Sequence, residues 1–154
     1  MQTLAGTAFD IRGLIALGGA DRPSVPLPLR VTGIPVGRRV RRLHFLHNSS
    51  GGRPTAGTVV GRYVLHYRDG QRVECPLVLG RDLLDWWQRA ELLQSEGRAT
   101  VAWQGRNRKT TGTNQVQLVK FTWENPRPKA DVTTLDVLSA GVLAQPFLVA
   151  VTVE

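Results

Sequence analysis

A chain of 154 residues is long enough to bury a substantial core without disulfides or metals, so one domain over residues 1–154 is expected. With 42% hydrophobic residues the composition excludes a disordered chain, and a single cysteine, Cys75, excludes an intramolecular disulfide while leaving the redox compartment open. Twenty Lys and Arg against twelve Asp and Glu give a net charge of +8, which favours polyanions if the cations cluster; solvated strand faces are the reading preferred here.

No apolar run is long enough to cross a bilayer, and residues 1–13 lack a charged stretch followed by a hydrophobic one, so membrane insertion is not expected. Met1 leads almost at once into a strand-like run and Glu154 closes another, the layout of a module excised from a longer protein.

Phe9, Ile11, Gly13, Ile15 and Leu17 alternate with Asp10 and Arg12 and predict a first strand, ended by Gly18-Gly19. Pro23, Pro26 and Pro28 confine any strand near Leu29-Arg30-Val31 to a short or edge position. A turn over 33–37 follows. Val40 to His47 then reads as a strand with Leu43 and Phe45 on one face, broken by Asn48-Ser49-Ser50-Gly51-Gly52.

Between Gly61 and Leu79 two alternating runs flank Arg68-Asp69-Gly70. A loop of Asp69-Gly70 alone would set Tyr67 opposite Arg72 and Leu65 opposite Glu74, mixing apolar and charged partners. Taking Arg68-Asp69-Gly70 as a three-residue loop with Gly70 left-handed sets Leu65 opposite Val73 and Tyr63 opposite Cys75. That register collects Tyr63, Leu65, Tyr67, Val73, Cys75, Leu77 and Leu79 on one face, so burial selects it.

Leu83, Trp86, Trp87, Ala90 and Leu93 recur at helical spacing after Asp82, a candidate N-cap, and before Gly97, a candidate stop, which predicts one short helix around residues 83–95. Strands are expected at Ala99 to Gln104, Gln115 to Trp123, Val132 to Leu138 and Phe147 to Val153, the last with Phe147, Val149, Val151 and Val153 on one side. Trp103 and Trp123 are expected in the core. About eight or nine strands with a single helix predict an all-β fold, an antiparallel two-sheet β-sandwich of jelly-roll type.

If successive strands run antiparallel, loops 18–26, 48–56, 80–98 and 124–131 gather at the end opposite the Asp69-Gly70 turn. They would bring together Asp21, Arg22, His47, Asn48, Ser49, Arg81, Asp82, Trp86, Trp87, Asn125 and Arg127. The turn end would collect Arg38, Arg39, Asp69, Arg106, Arg108 and Lys109.

Catalytic chemistry has no specific signature in this chain. His44 and His47 are three apart on a strand and face opposite sides, so they cannot chelate one metal, and His66 falls on the polar side of the hairpin. Asp82 and Asp85 read as helix-capping carboxylates, and Asn48-Ser49-Ser50 as a turn rather than a glycosylation acceptor. The set His47, Asn48, Arg81, Asp82, Trp86, Trp87, Asn125 and Arg127 is what sugar recognition requires, because an indole stacks on a pyranose face while charged and amide groups bond its hydroxyls. Trp86 and Trp87 could equally bolt the helix over the end of the sandwich.

Phe9-Asp10-Ile11-Arg12, Leu43 to His47, the Tyr63 to Gly80 hairpin with Arg81 to Trp87, and the closing Phe147 to Glu154 together resemble a galactose-binding-domain-like jelly-roll module. Such modules are often appended to glycoside hydrolases and other large bacterial proteins. The resemblance implies a non-catalytic carbohydrate-binding module with a ligand at the loop end, and a setting outside the cytoplasm as part of a larger secreted or surface protein. Some members hold a structural calcium ion, but Asp10, Asp21 and Glu154 are too scattered to support one, so no cofactor is expected. The alternatives are a structural or protein-interaction domain contacting other domains of a parent protein, and a salt-dependent polyanion or nucleic-acid binder. Nucleic acid is disfavoured because the basic stretches around Arg41, Arg42 and Lys109 lack interleaved aromatics.

Overall fold

The computed structural model describes residues 1–20, 26–51, 55–89 and 97–154, the side chains of 88 and 89 excepted. Its strands are β1 (Gln2–Leu4), β2 (Thr7–Phe9), β3 (Ile15–Ala16), β4 (Arg30–Arg39), β5 (Arg42–Ser50), β6 (Val59–Tyr67), β7 (Arg72–Val78), β8 (Trp87–Arg89), β9 (Ala99–Gly105), β10 (Asn114–Glu124), β11 (Asp131–Ser139) and β12 (Gln145–Val153). One sheet runs β3-β12-β5-β10-β8 with β9 on the remaining edge of β10; the other runs β4-β11-β6-β7. All strand pairs are antiparallel. The described residues are therefore all-β, as expected, with antiparallel sheets of six and four strands and a separate two-stranded sheet of β1 and β2.

The hairpin of β6 and β7 has the bulged register: Tyr63 pairs with Cys75 and Leu65 with Val73. Tyr67 N donates to the Gln71 carbonyl at 2.9 Å and Gly70 sits at φ 81°, so the loop is Arg68-Asp69-Gly70. Its apolar face meets Leu43, Phe45, Phe121 and Trp123 of the other sheet in one core. The Phe45 and Tyr63 rings stack across the sheets at 3.9 Å between centroids. Fully burying each such side chain stabilises the fold by about 1.5–3 kcal/mol.

The prolines place β4 correctly at an edge. The turn expected over 33–37 is instead continuous strand, because Gly33 and Gly37, at φ 75° and 66°, absorb two register shifts against β11. The first predicted strand is broken into β2 and β3, with residues 10–14 between them outside any strand. The hairpin of β1 and β2 covers the outer face of the larger sheet, where Phe9, Leu46 and Ala150 form a second apolar cluster. Lys120 and Thr152 fasten that hairpin through the Ala5 and Ala8 carbonyls.

The helix expected around 83–95 is absent from its described half. Leu83 bridges to Leu79, Asp85 bridges to Ser49, and Trp87–Arg89 pair with Asn114–Val116. The cause lies on β10: its ladder with β5 runs from Val119 to Glu124, so the backbone of 114–116 beyond it needs partners, and β8 supplies them. Strand pairing there outweighs the helical spacing of the apolar residues. The rest of the expected helix, 90–95, lies outside the described residues, as do Asp21 and Arg22.

Candidate binding groove

The residues that looked like a polar site form two separate, largely buried networks. In the first, the Asp82 side chain is wholly covered and accepts from Val78 N at 2.9 Å, Arg81 Nη2 at 2.8 Å and Arg98 Nε at 2.8 Å. Burial pushes the Asp82 pKa up, but the hydrogen bonds from Arg81, Val78 and Arg98 outweigh it and hold the carboxyl below its ordinary value. Arg98 also lies over the Phe121 ring at 4.8 Å.

His47 is 1% exposed, with Nε2 at 2.9 Å from the Asp82 carbonyl and Nδ1 at 2.7 Å from the Tyr63 hydroxyl. A carbonyl only accepts, so Nε2 carries the proton and Nδ1 accepts from Tyr63. Burial brings the His47 pKa down to about 4, so the ring is neutral at pH 7. Asn48 donates to the Gln117 carbonyl at 3.0 Å and accepts from Leu84 N at 2.7 Å. With no exposed surface it is no glycosylation acceptor. These bonds stitch the segment before β8 into the sheet.

The second network sits at the opposite end. Asn125 accepts from the Tyr67 hydroxyl at 2.6 Å and donates to the Val40 carbonyl at 2.7 Å. Arg127 reaches Asp69 at 2.5 Å and lies over the Tyr67 ring at 4.6 Å. Asn125 and Arg127 thus belong to the Asp69-Gly70 turn end, away from Asn48 and Trp86, contrary to the loop sorting.

The sorting failed because the stretch 80–98 is not one loop. It contains β8, and β8 and β9 both run antiparallel to β10. Gly105 therefore pairs with Val116, at the opposite end of β10 from the Glu124–Arg42 pair. Arg106, Arg108 and Lys109 follow Gly105, so the expected basic end is divided. Of its other half, Arg39 pairs with Asp131 and Asp69 with Arg127, and nearby Arg41 pairs with Glu154 and Arg42 with Glu124.

His44 contacts Thr122 and Glu154, and His66 contacts Asp136, each histidine committed within the fold. Among the described residues no three His, Cys, Asp or Glu side chains gather to hold a metal. Of the carboxylates named for calcium, Asp10 pairs with Arg12 and Glu154 with Arg41, so the donors do not fit the ion.

What stands open is a groove of about 500 Å³ on the outer face of the larger sheet, at the end where β10 begins. Trp86, Trp103, Phe147 and Leu118 line it, and Ser50, Arg106, Asn107 and Gln145 supply its polar groups. Trp86 meets Phe147 edge-on at 6.1 Å and Trp87 at 5.8 Å. Trp87 itself is not part of the lining.

Two bulges build this groove. In β9, Val101 pairs with Val119 and Trp103 with Leu118, so Ala102 is an extra residue. Val101 packs into the main core; the bulge turns Trp103, two positions on, to the outer face, where it is 42% exposed. Trp123 is core as expected, at 7%. In β12, Leu148 pairs with His47 and Ala150 with Leu46, so Val149 is the extra residue. Val151 and Val153 pack on the core, whereas Phe147 and Val149 face the groove, dividing the set expected on one side.

Of the eight expected site residues, the groove contains Trp86 alone; the reasoning from sequence missed Trp103, Phe147, Arg106 and Gln145. A second groove, of about 390 Å³ between β3 and β4, is lined only by apolar residues such as Ile15, Ile34 and Val151. It offers no polar side chain to orient a ligand. Comparison with protein families, curated proteins and solved structures finds no match to this chain.

Proposed function

We propose that this chain is a non-catalytic carbohydrate-binding module whose glycan lies in the outer groove rather than at the loop end. One observation carries the reading: Trp86 and Trp103 line an open groove together with hydrogen-bonding side chains at Ser50, Asn107 and Gln145. Indole faces receive the C–H face of a pyranose, and amide and hydroxyl groups exchange hydrogen bonds with its hydroxyls. The finer description, a galactose-binding-domain-like jelly roll carried by a larger secreted or surface protein, belongs to the same proposal. A shallow groove of this kind binds at roughly micromolar to millimolar strength.

The test is a titration of intrinsic tryptophan fluorescence against neutral and acidic glycans and a heparin-like polyanion, at low and high salt. The reading expects a saturable response to a glycan that disappears in Trp103→Ala while the unfolding midpoint is unchanged. It fails if no glycan changes the emission. A response that tracks charge density, vanishes with salt and persists in Trp103→Ala would instead identify a polyanion binder.

A protein-interaction domain is the second reading. Leu14, 61% exposed and shared by both grooves, favours it, and silence towards every glycan would leave it standing.

A further inference from the structure

The groove carries a chemical preference, because its lining is electrically one-sided. Arg106 is the only charged residue among the described residues that line it, and no carboxylate joins it there. Arg106 Nη2 donates to the Gly112 carbonyl at 2.8 Å, a bond that anchors the guanidinium within the loop after β9. The other edge of that planar group is suited to accept an anion through two parallel hydrogen bonds. The chain's net charge of +8 draws anions towards it from solution.

A second feature places an aromatic ring against Gly105, the residue before this arginine. An ideal Cβ built on Gly105 would lie 2.4 Å from Trp103 Cζ2 and 2.6 Å from Cη2. The six-membered ring of the indole therefore lies across Gly105, in space that any other residue would fill. Trp103 and Arg106 thus put an indole and a guanidinium into the lining of one groove from either side of Gly105 in the sequence.

We infer that the glycan is acidic: a sugar unit bearing a carboxylate or sulfate, its ring on Trp103 and its anion on Arg106. Gly105 is a positioning residue that lets the indole lie across the strand. This inference rests on the carbohydrate reading above and adds the ligand class to it.

The experiment is isothermal titration calorimetry of the full chain with oligogalacturonate, a sulfated galactan oligosaccharide and a neutral galacto-oligosaccharide, the two acidic probes separating carboxylate from sulfate. Four proteins are compared: the unaltered chain, Arg106→Gln, Gly105→Ala, and Arg38→Gln as a charge control at the other end of the molecule. The unaltered chain binds at least one acidic probe about tenfold more tightly than the neutral one. Arg106→Gln removes that preference and keeps the neutral affinity, while Arg38→Gln changes neither. Gly105→Ala weakens every sugar by about tenfold because its methyl displaces the indole; if that variant does not fold, Trp103→Ala serves in its place. Equal affinity for acidic and neutral probes, a preference that survives Arg106→Gln, or a preference lost equally in Arg38→Gln overturns the inference and leaves the carbohydrate reading intact. No heat with any sugar overturns both.

Discussion

The Asp82 clamp and the Trp103 groove come from stretches of chain close in sequence, yet they meet solvent in opposite ways. The Asp82 carboxylate is wholly covered, held by two arginines and a backbone N–H, whereas Trp103, a large apolar side chain, is 42% exposed. Burying the charge costs desolvation, which the hydrogen bonds from Arg81, Val78 and Arg98 outweigh, so the clamp keeps the carboxylate ionised and ties the segment before β8 in place. Exposing the indole forfeits burial that Trp123, on the neighbouring strand, obtains in full. In this molecule the buried polar groups hold the structure together, and the open groove is aromatic.

That contrast can be tested from its strongest point downwards. Trp123→Ala should cost about 3–5 kcal/mol in a denaturant titration, the usual loss for a buried aromatic. A cost below about 1 kcal/mol would mean that Trp123 and Trp103 do not differ in burial as described.

His47 should make stability depend on pH. Its folded pKa is lowered to about 4 from 6.5, so between those values the unfolded chain binds more protons than the folded one. The contribution is fully present above pH 6.5 and is lost as pH falls towards 4, amounting to about 3 kcal/mol. Denaturation midpoints at several pH values in that window measure it, and His47→Gln should flatten the slope.

Asp82→Ala should cost about 2–3 kcal/mol, because Val78 N–H and both arginines lose their acceptor. The loss stays moderate since Arg81 and Arg98 reach water and are solvated once freed. Sugar affinity per folded molecule should hold, and a large loss of it would join the clamp to the groove. Smallest of all, Trp103→Ala should shift stability by less than about 1 kcal/mol, as a half-exposed side chain away from the main core does. A larger shift would make Trp103 a packing residue.

The hairpin was legible in the sequence because only one register buries Tyr63, Leu65, Cys75 and Leu77 together, and β6 and β7 adopt that register. The edge position of β4 was legible from its prolines, and the later strands from their alternation to within one or two residues. The groove was not. Alternation assigns Trp103 to the same face as Val101, and Phe147 to the same face as Val151, and both assignments reverse at a single inserted residue, Ala102 in one strand and Val149 in the other.

The sequence by itself determined the all-β class, the hairpin register and most strand positions, since these follow from local alternation and from turn residues. Tertiary structure decided the rest: the bulges, the course of the chain from Leu83 to Arg89, and the division of polar residues between the two ends. A bulge is a mismatch between two strands, and β8 forms because β10 extends past β5. Both depend on backbone partners distant in sequence, so no local pattern encodes them.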